Sequence, residues 1–197
     1  MLFVVKYTGP FGFIKPWTAV RDVETYSQQF LTPSIVEGIE KKLFPELLEQ
    51  VGVIQNIVRH RLNYASVTMQ KEKTWAKGGF QAEKKKDALE RIYYKAANMG
   101  VLTRGILLEP NLYLAFNTEG YAQRAFTQSI CLCRNEDILM PESCFEINEA
   151  DFDEIQGFEL HFSDVATGFK VGHNRFDGGS EMFGELKIYG SNPIREK

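Results

Sequence analysis

The 197-residue chain is 44% apolar and 25% charged, with a formal net charge of −3. Those proportions exclude a disordered or fibrous protein and provide for one sizeable core. No run approaches about 18 apolar residues, and the apolar part of the opening MLFVVKYTGP is too short, and lacks the small-residue cleavage site, for a signal peptide. The expectation is a cytoplasmic protein with no membrane segment.

The first strand is expected over Leu2 to Tyr7, β-branched and aromatic, ending at the turn Gly9-Pro10. Phe11, Phe13 and Ile14 then precede Lys15-Pro16, and the polar run Arg21 to Gln29 reads as a loop. Thr32-Pro33 marks a helix start, with Thr32 at the N-cap and Pro33 where its missing N–H costs nothing. Ile35, Val36, Ile39 and Leu43 follow at helical spacing, and the helix ends near Phe44-Pro45.

Val53, Ile54 and Ile57 begin a strand pattern that runs into the most unusual stretch of the chain, residues 59–86. There Arg59, Arg61, Lys71, Lys73, Lys77, Lys84, Lys85 and Lys86 face only Glu72 and Glu83. Tyr64, Trp75 and Phe80 are interleaved with the cations, and β propensity persists through Ser66, Val67 and Thr68 until Gly78-Gly79 breaks it. Cations for phosphates and flat rings for unpaired bases are what single-stranded nucleic acid requires, so a basic hairpin or arm is read here, with Arg61, Tyr64 and Trp75 as first candidates. A solvated charge run is the other reading of the same pattern.

Residues 83–99 place Ala88, Leu89, Ile92, Tyr93 and Ala96 on one helical face and predict a second helix stopped by Gly100, although lysines at its start oppose the helix dipole. Gly105 to Asn117 reads as a strand in which Pro110 forces a turn, bulge or edge position. Glu119 to Gln128 reads as a short helix. From Glu136 to Asp164 there are ten acids and no Lys or Arg, a stretch expected to be loops with one or two strands, such as Phe158 to Phe162. Such an acidic face can avoid a bound polyanion or meet a basic neighbour. The glycine-rich end closes with a strand over Glu185 to Tyr189. The order of elements gives an α+β fold with a mostly antiparallel sheet.

Chemistry-bearing motifs are few. Cys131, Cys133 and Cys144 are an odd number, and the C-x-C spacing is too short for zinc with His161 far along the chain, so they read as free thiols in a reducing compartment. The acidic run Glu149 to Glu154 lacks the spacing of a calcium loop and reads as a solvated segment. No nucleophile elbow, phosphate-binding loop or zinc-protease motif is present, and neither metal nor cofactor is called for.

The opening strand with Gly9-Pro10, the run TYSQQFLTPSIVEGIEKKLF (Thr25 to Phe44), the pattern VIQNIVRHRLNYASVTMQKE (Val53 to Glu72) and the ending SEMFGELKIYG (Ser180 to Gly190) together resemble the Cas-five family of CRISPR-associated proteins, in particular its type I-C branch. The resemblance implies one RAMP-like domain over residues 1–197: a ferredoxin-like, RRM-like antiparallel sheet with helices on one face. A long basic hairpin lies at about 59–86 and an acidic, glycine-rich part at about 136–190. It implies a Cascade subunit that holds the 5′ handle of the CRISPR RNA and packs against the backbone subunit and the large subunit. The glycine-rich ending is similar to the loop through which RAMP proteins approach RNA closely, or is a pair of β-turns.

In the type I-C branch the family member is also a metal-independent endoribonuclease that uses a Tyr in the helix-start motif with Lys and His. Here that motif reads LTPSIVEGI, and Ser34 has neither the pKa nor the reach of a phenol. Cleavage without a metal needs a base, an acid and a cation at the phosphorane. His60, between Arg59 and Arg61, and His173, beside Asn174 and Arg175, are the candidates; His173 and Arg175 are also read as RNA contacts, and His161 as structural. Strand alternation sets His60 on the face opposite both arginines. The reading is a CRISPR RNA-binding structural subunit, with repeat-RNA endoribonuclease and RNA-free protein-interaction module as alternatives.

Overall fold

The computed structural model describes residues 1–16, 23–75, 82–96, 99–163 and 168–191. In chain order the strands are β1 (Leu2–Thr8), β2 (Phe11–Gly12), β3 (Glu24–Tyr26), β4 (Ile57–Asn63), β5 (Ser66–Trp75), β6 (Ala82–Lys86), β7 (Ile92–Ala96), β8 (Met99–Leu108), β9 (Asn111–Phe116), β10 (Ile130–Cys131), β11 (Ile138–Ile147), β12 (Gly157–Ser163), β13 (Phe169–His173) and β14 (Glu181–Tyr189). The helices are α1 (Pro33–Leu43), α2 (Glu119–Phe126) and the short α3 (Glu149–Asp153). The fold is α+β, and no helix among the described residues is long and apolar enough to cross a membrane.

The main sheet runs β10-β11-β1-β9-β4-β12-β14-β13, antiparallel throughout. β1 and β9 are apolar at both alternating positions, so both faces of the sheet centre must be covered. Val5, Tyr7, Leu112, Leu114 and Phe116 share a core with Val36, Ile39 and Leu43 of α1 and Ala122 and Ala125 of α2. The Tyr7 hydroxyl donates to the Ala125 carbonyl at 2.7 Å, which satisfies the one polar atom this ring buries. Leu2, Val4 and Ala115 on the other face pack on Phe152 of α3. The expectation of helices on one face therefore holds for α1 and α2 and fails for α3.

Along β4, the sheet meets β12 at one residue pair, Leu62 and Phe158. Gly157, at φ 141°, permits that approach: a Cβ there would lie 2.5 Å from the Leu62 carbonyl oxygen. Beyond it the two strands diverge, and β12 continues as the inner strand of the unit β12-β14-β13.

A second sheet carries the arm. β5 and β8 form an unbroken ladder from Ser66 opposite Leu108 to Trp75 opposite Met99, roughly 30 Å long at the usual rise per residue. β3, in the stretch read as a loop, pairs in parallel with β8. The predicted strand Gly105 to Asn117 is divided into the end of β8 and all of β9 at Glu109-Pro110, where Glu109 takes φ 49°.

The predicted helix at 83–99 is instead the β6–β7 hairpin followed by the start of β8. Asp87 closes its turn: Oδ1 accepts from the N–H groups of Leu89 and Arg91, both at 2.9 Å. The helical face had nothing to pack against, since Leu89, Ile92 and Tyr93 are all exposed, and an unpacked helix with lysines at its N-terminus is not stable in water. In the acidic stretch two strands are present as expected, β12 covering Phe158 to Phe162, and the departure is the short helix α3. β11, α3 and β12 order much of it.

Candidate nucleic-acid interface

The arm has two chemically distinct faces. Alternation from Val67 puts Met69, Lys71 and Lys73 on one side, opposite Leu107, Gly105, Thr103 and Val101 of β8. Val67, Met69, Val101 and Met99 are exposed there with both lysines, a mixed apolar and basic surface. The reverse face carries Glu72, which lies 3.6 Å from Arg104 Nε and 3.8 Å from Arg134 Nη1. Glu72 is thus occupied away from Lys71 and Lys73.

In the β6–β7 hairpin Lys84 is opposite Tyr94 and Lys85 opposite Tyr93, with both tyrosines exposed. Each face of this ribbon therefore pairs a cation with a ring. The reading from sequence missed Tyr93 and Tyr94 because helical periodicity put Tyr93 in a core; the IYYK run beside Asp87 was the available signal. Trp75 ends β5, and Lys77 lies outside the described residues.

The remaining arm candidates are not on the arm's surface. Arg61 is fully buried: Nη2 donates to Glu159 Oε2 at 2.9 Å, Nη1 donates to the Ile155 carbonyl, and the guanidinium stacks 3.5 Å from the centre of the Tyr189 ring. Arg59 grips the same carboxylate through Nε and Nη2, both at 2.7 Å, and reaches Asp153 at 2.8 Å. Burial alone would raise the Glu159 carboxyl, yet its bonds with Arg59 and Arg61 and the charge beside it hold it down at about 2. Both arginines are consumed by acids of the chain's own acidic segment.

Tyr64 is likewise buried, its hydroxyl donating to Gln29 Oε1 at 2.9 Å. His60 is buried against Phe162, ring centroids 5.3 Å apart, with its Nε2 unpartnered. Burial lowers its pKa to about 4, so it is a neutral core histidine without access to a bulky substrate. His161, read as structural, has Nε2 3.3 Å from the Tyr189 hydroxyl.

A separate cleft of about 300 Å³ gathers other basic residues. Thr32 and Ser34 at the start of α1 line it together with Lys15, Lys42, His173 and Arg175, and no acidic side chain is among the lining residues. Thr32 occupies the N-cap position but makes no side-chain capping bond; its hydroxyl is 3.3 Å from that of Ser34. The helix dipole adds positive potential at the same end. His173 is exposed, with Nε2 3.9 Å from Glu181, and Arg175 leans on Phe176 at 4.8 Å.

Residues unrecognised in the sequence fix this cleft. Glu37 of α1, fully buried, accepts from Lys41 Nζ at 2.7 Å, from the Gly52 N–H at 2.9 Å and from Asn174 Nδ2 at 3.1 Å. Asn174 thereby turns away from the cleft while its neighbours His173 and Arg175 line it. Glu40 accepts from the backbone N–H groups of Gln55, Asn56 and Ile57. The sequence signal was slight: at about 100° per residue Glu40 falls just past the edge of the apolar arc set by Ile35, Val36, Ile39 and Leu43, and Glu37 falls outside it. Gly178 and Gly179, at φ 80° and 98°, form the turn that returns the chain from Arg175 to Ser180, which is the β-turn reading of those glycines.

The arrangement can bind phosphates through the cationic Lys15, Lys42 and Arg175, with His173 as a further hydrogen-bonding group, and stack bases on the hairpin. Among the described residues no group of three or more His, Cys, Asp or Glu is placed to hold a metal. No protein-family model matches the chain, and no curated protein matches it. Among solved structures, a chain of a CRISPR RNA-guided surveillance complex is similar, at 9% identity and a TM-score of 0.55 over 96% of this chain and 90% of that one. At that identity the likeness is one of fold.

Proposed function

We propose that this chain is a CRISPR RNA-binding structural subunit of a Cascade-type effector complex, with the 5′ handle of the RNA as its ligand. The observation that carries the proposal is the acid-free cleft lined by Lys15, Lys42, His173 and Arg175, on a fold similar to a chain of a CRISPR RNA-guided complex. The Cas-five resemblance, closest to type I-C, adds to it. So does topology. The chain order β1-α1-β4-β9-α2-β11, with the strands lying β11-β1-β9-β4, is a β-α-β-β-α-β arrangement and supports a ferredoxin-like RAMP reading for one domain.

In this reading RNA phosphates occupy the cleft, and the arm extends the track through Lys71, Lys73, Lys84 and Lys85, with Trp75 and Lys77 on the same chain segment. The exposed apolar residues beside Lys71 support a protein neighbour on that face, for which the backbone and large subunits are the candidates. A second reading, metal-independent cleavage of repeat RNA, rests on exposed His173 in the cationic cleft; buried His60 does not contribute to it.

An end-labelled CRISPR repeat RNA, titrated with the purified protein in EDTA across a salt series, tests both. The expected result is a shift of intact RNA whose affinity falls with salt by about 0.7 log units per log unit for each phosphate held. Cleavage lost in His173→Ala would establish the second reading. Salt-independent behaviour without a shift would favour a protein-interaction module.

A further inference from the structure

The cationic cleft also contains two thiols. Cys131 ends β10 and Cys133 lies two residues on, in the tight connection to β11, and both line the cleft with Lys15, Lys42, His173 and Arg175. The connection is fixed: Arg134 clamps Asp137 at 2.6 and 2.9 Å, and the Leu132 N–H donates to the Asp137 carbonyl at 3.3 Å. Leu132, between the thiols, is buried in the main core. Cys131 Sγ is 3.8 Å from the Asn135 carbonyl, whereas Cys133 is exposed.

The third cysteine is an internal control. Cys144 lines a different and smaller hollow with Glu119 and Glu146, so its charge surroundings are opposite. Burial, and then the Glu119 charge, push that thiol upward and further from the reactive thiolate.

We propose that Cys133 is a modification site for anionic low-molecular-weight disulfides, drawn in by the three cations of the cleft, Lys15, Lys42 and Arg175. Attack on a disulfide requires an accessible sulfur, and an opposite-charge cleft raises the local concentration of a charged reagent. The Cys133 thiolate attacks one sulfur of the disulfide. A bond forms between Cys133 and that half, the bond between the two halves breaks, and the other half leaves as a thiolate that takes up the proton Cys133 lost. One disulfide is consumed and one free thiol released. The retained half carries its carboxylates into the cleft, so modification and RNA phosphate compete for the same cations; this consequence rests on the RNA reading, whereas the chemistry at Cys133 does not.

The test is the rate at which the intact chain is modified by glutathione disulfide, followed cysteine by cysteine by peptide mass mapping. Neutral 2-hydroxyethyl disulfide is the reference reagent. Relative to it, glutathione disulfide is expected to favour Cys133 over Cys144 by about tenfold. Lys42→Gln with Arg175→Gln should remove most of that preference and leave the neutral reagent unaffected. Should the double variant fail to fold, added salt applies the same test to the native chain, slowing only the charged reagent at Cys133. Equal dependence of both reagents on charge and salt, or no preference for Cys133, overturns the proposal. Bound repeat RNA should slow modification of Cys133 alone; selective modification that RNA does not slow keeps the site and counts against RNA in the cleft.

Discussion

Glu159 decides what Arg59 and Arg61 are for. Both side chains end on its carboxylate, and with Arg61 fully buried neither guanidinium can be lost or left alone cheaply. Glu159→Gln is expected to destabilise the chain by about 3 to 5 kcal/mol, because it strands a buried arginine, and a denaturant titration would show it. Reversal of Arg59 and Arg61 to Glu should likewise collapse stability rather than abolish RNA binding alone. His60 makes a second, pH-dependent contribution. Its pKa falls from 6.5 unfolded to about 4 folded, so the unfolded chain binds more protons across that window and stability is lost as pH falls through it. Denaturant midpoints should drop by an amount worth about 2 kcal/mol between about pH 7 and about pH 5, and His60→Leu should flatten that slope. Glu159, held at about 2 against an ordinary 4.5, adds its own loss only at lower pH. None of this was legible in the sequence, where Arg59 and Glu159 are a hundred positions apart; the alternation that set His60 opposite the arginines was.

The arm was legible as an element and misread in its far part. Strand propensity and the cation run located β5, but a seventeen-residue periodicity at 83–99 imitated a helix because Ile92 and Ala96, four apart, satisfy either repeat. The α1 start at Thr32-Pro33 was read correctly, since Pro33 and the Ile35, Val36, Ile39, Leu43 series admit only one local answer. Two pairs of substitutions separate the arm's roles. Lys71→Glu with Lys73→Glu should weaken RNA binding uniformly and reduce the salt slope, while Tyr93→Ala with Tyr94→Ala should cost about 1 to 3 kcal/mol per stacked base with the salt slope retained. Thermal midpoints should barely move in either case, because all four side chains are exposed. A loss of affinity in neither pair would remove the arm from the RNA path.

At the scale of the whole molecule the near-neutral total charge acquires a structural meaning. The basic and acidic segments partly cancel each other in space: Arg59 and Arg61 meet Asp153 and Glu159. Among the described residues, Lys71, Lys73 and Lys84 of the arm and Lys42 and Arg175 of the cleft remain without an acidic partner, whereas Lys85 pairs with Glu83 at 3.4 Å. Composition could show the imbalance along the chain, but only the fold shows which half of it is spent internally. Order in the sheet has a further consequence. Since β12 touches β4 through the single pair of Leu62 and Phe158, the last three strands are joined to the rest by one rung of backbone, the arginine clasp on Glu159 and a few side-chain contacts such as Asn174 with Glu37 and His60 with Phe162. That junction is a seam, and acid loosens its clasp. Amide protons of β12, β13 and β14 should therefore exchange together, ahead of those in β1 and β9, and increasingly so as Glu159 is protonated. The chain would then come apart in two steps, shedding its C-terminal strands as a unit, and anything gripped by His173 and Arg175 would be released before the central sheet yields.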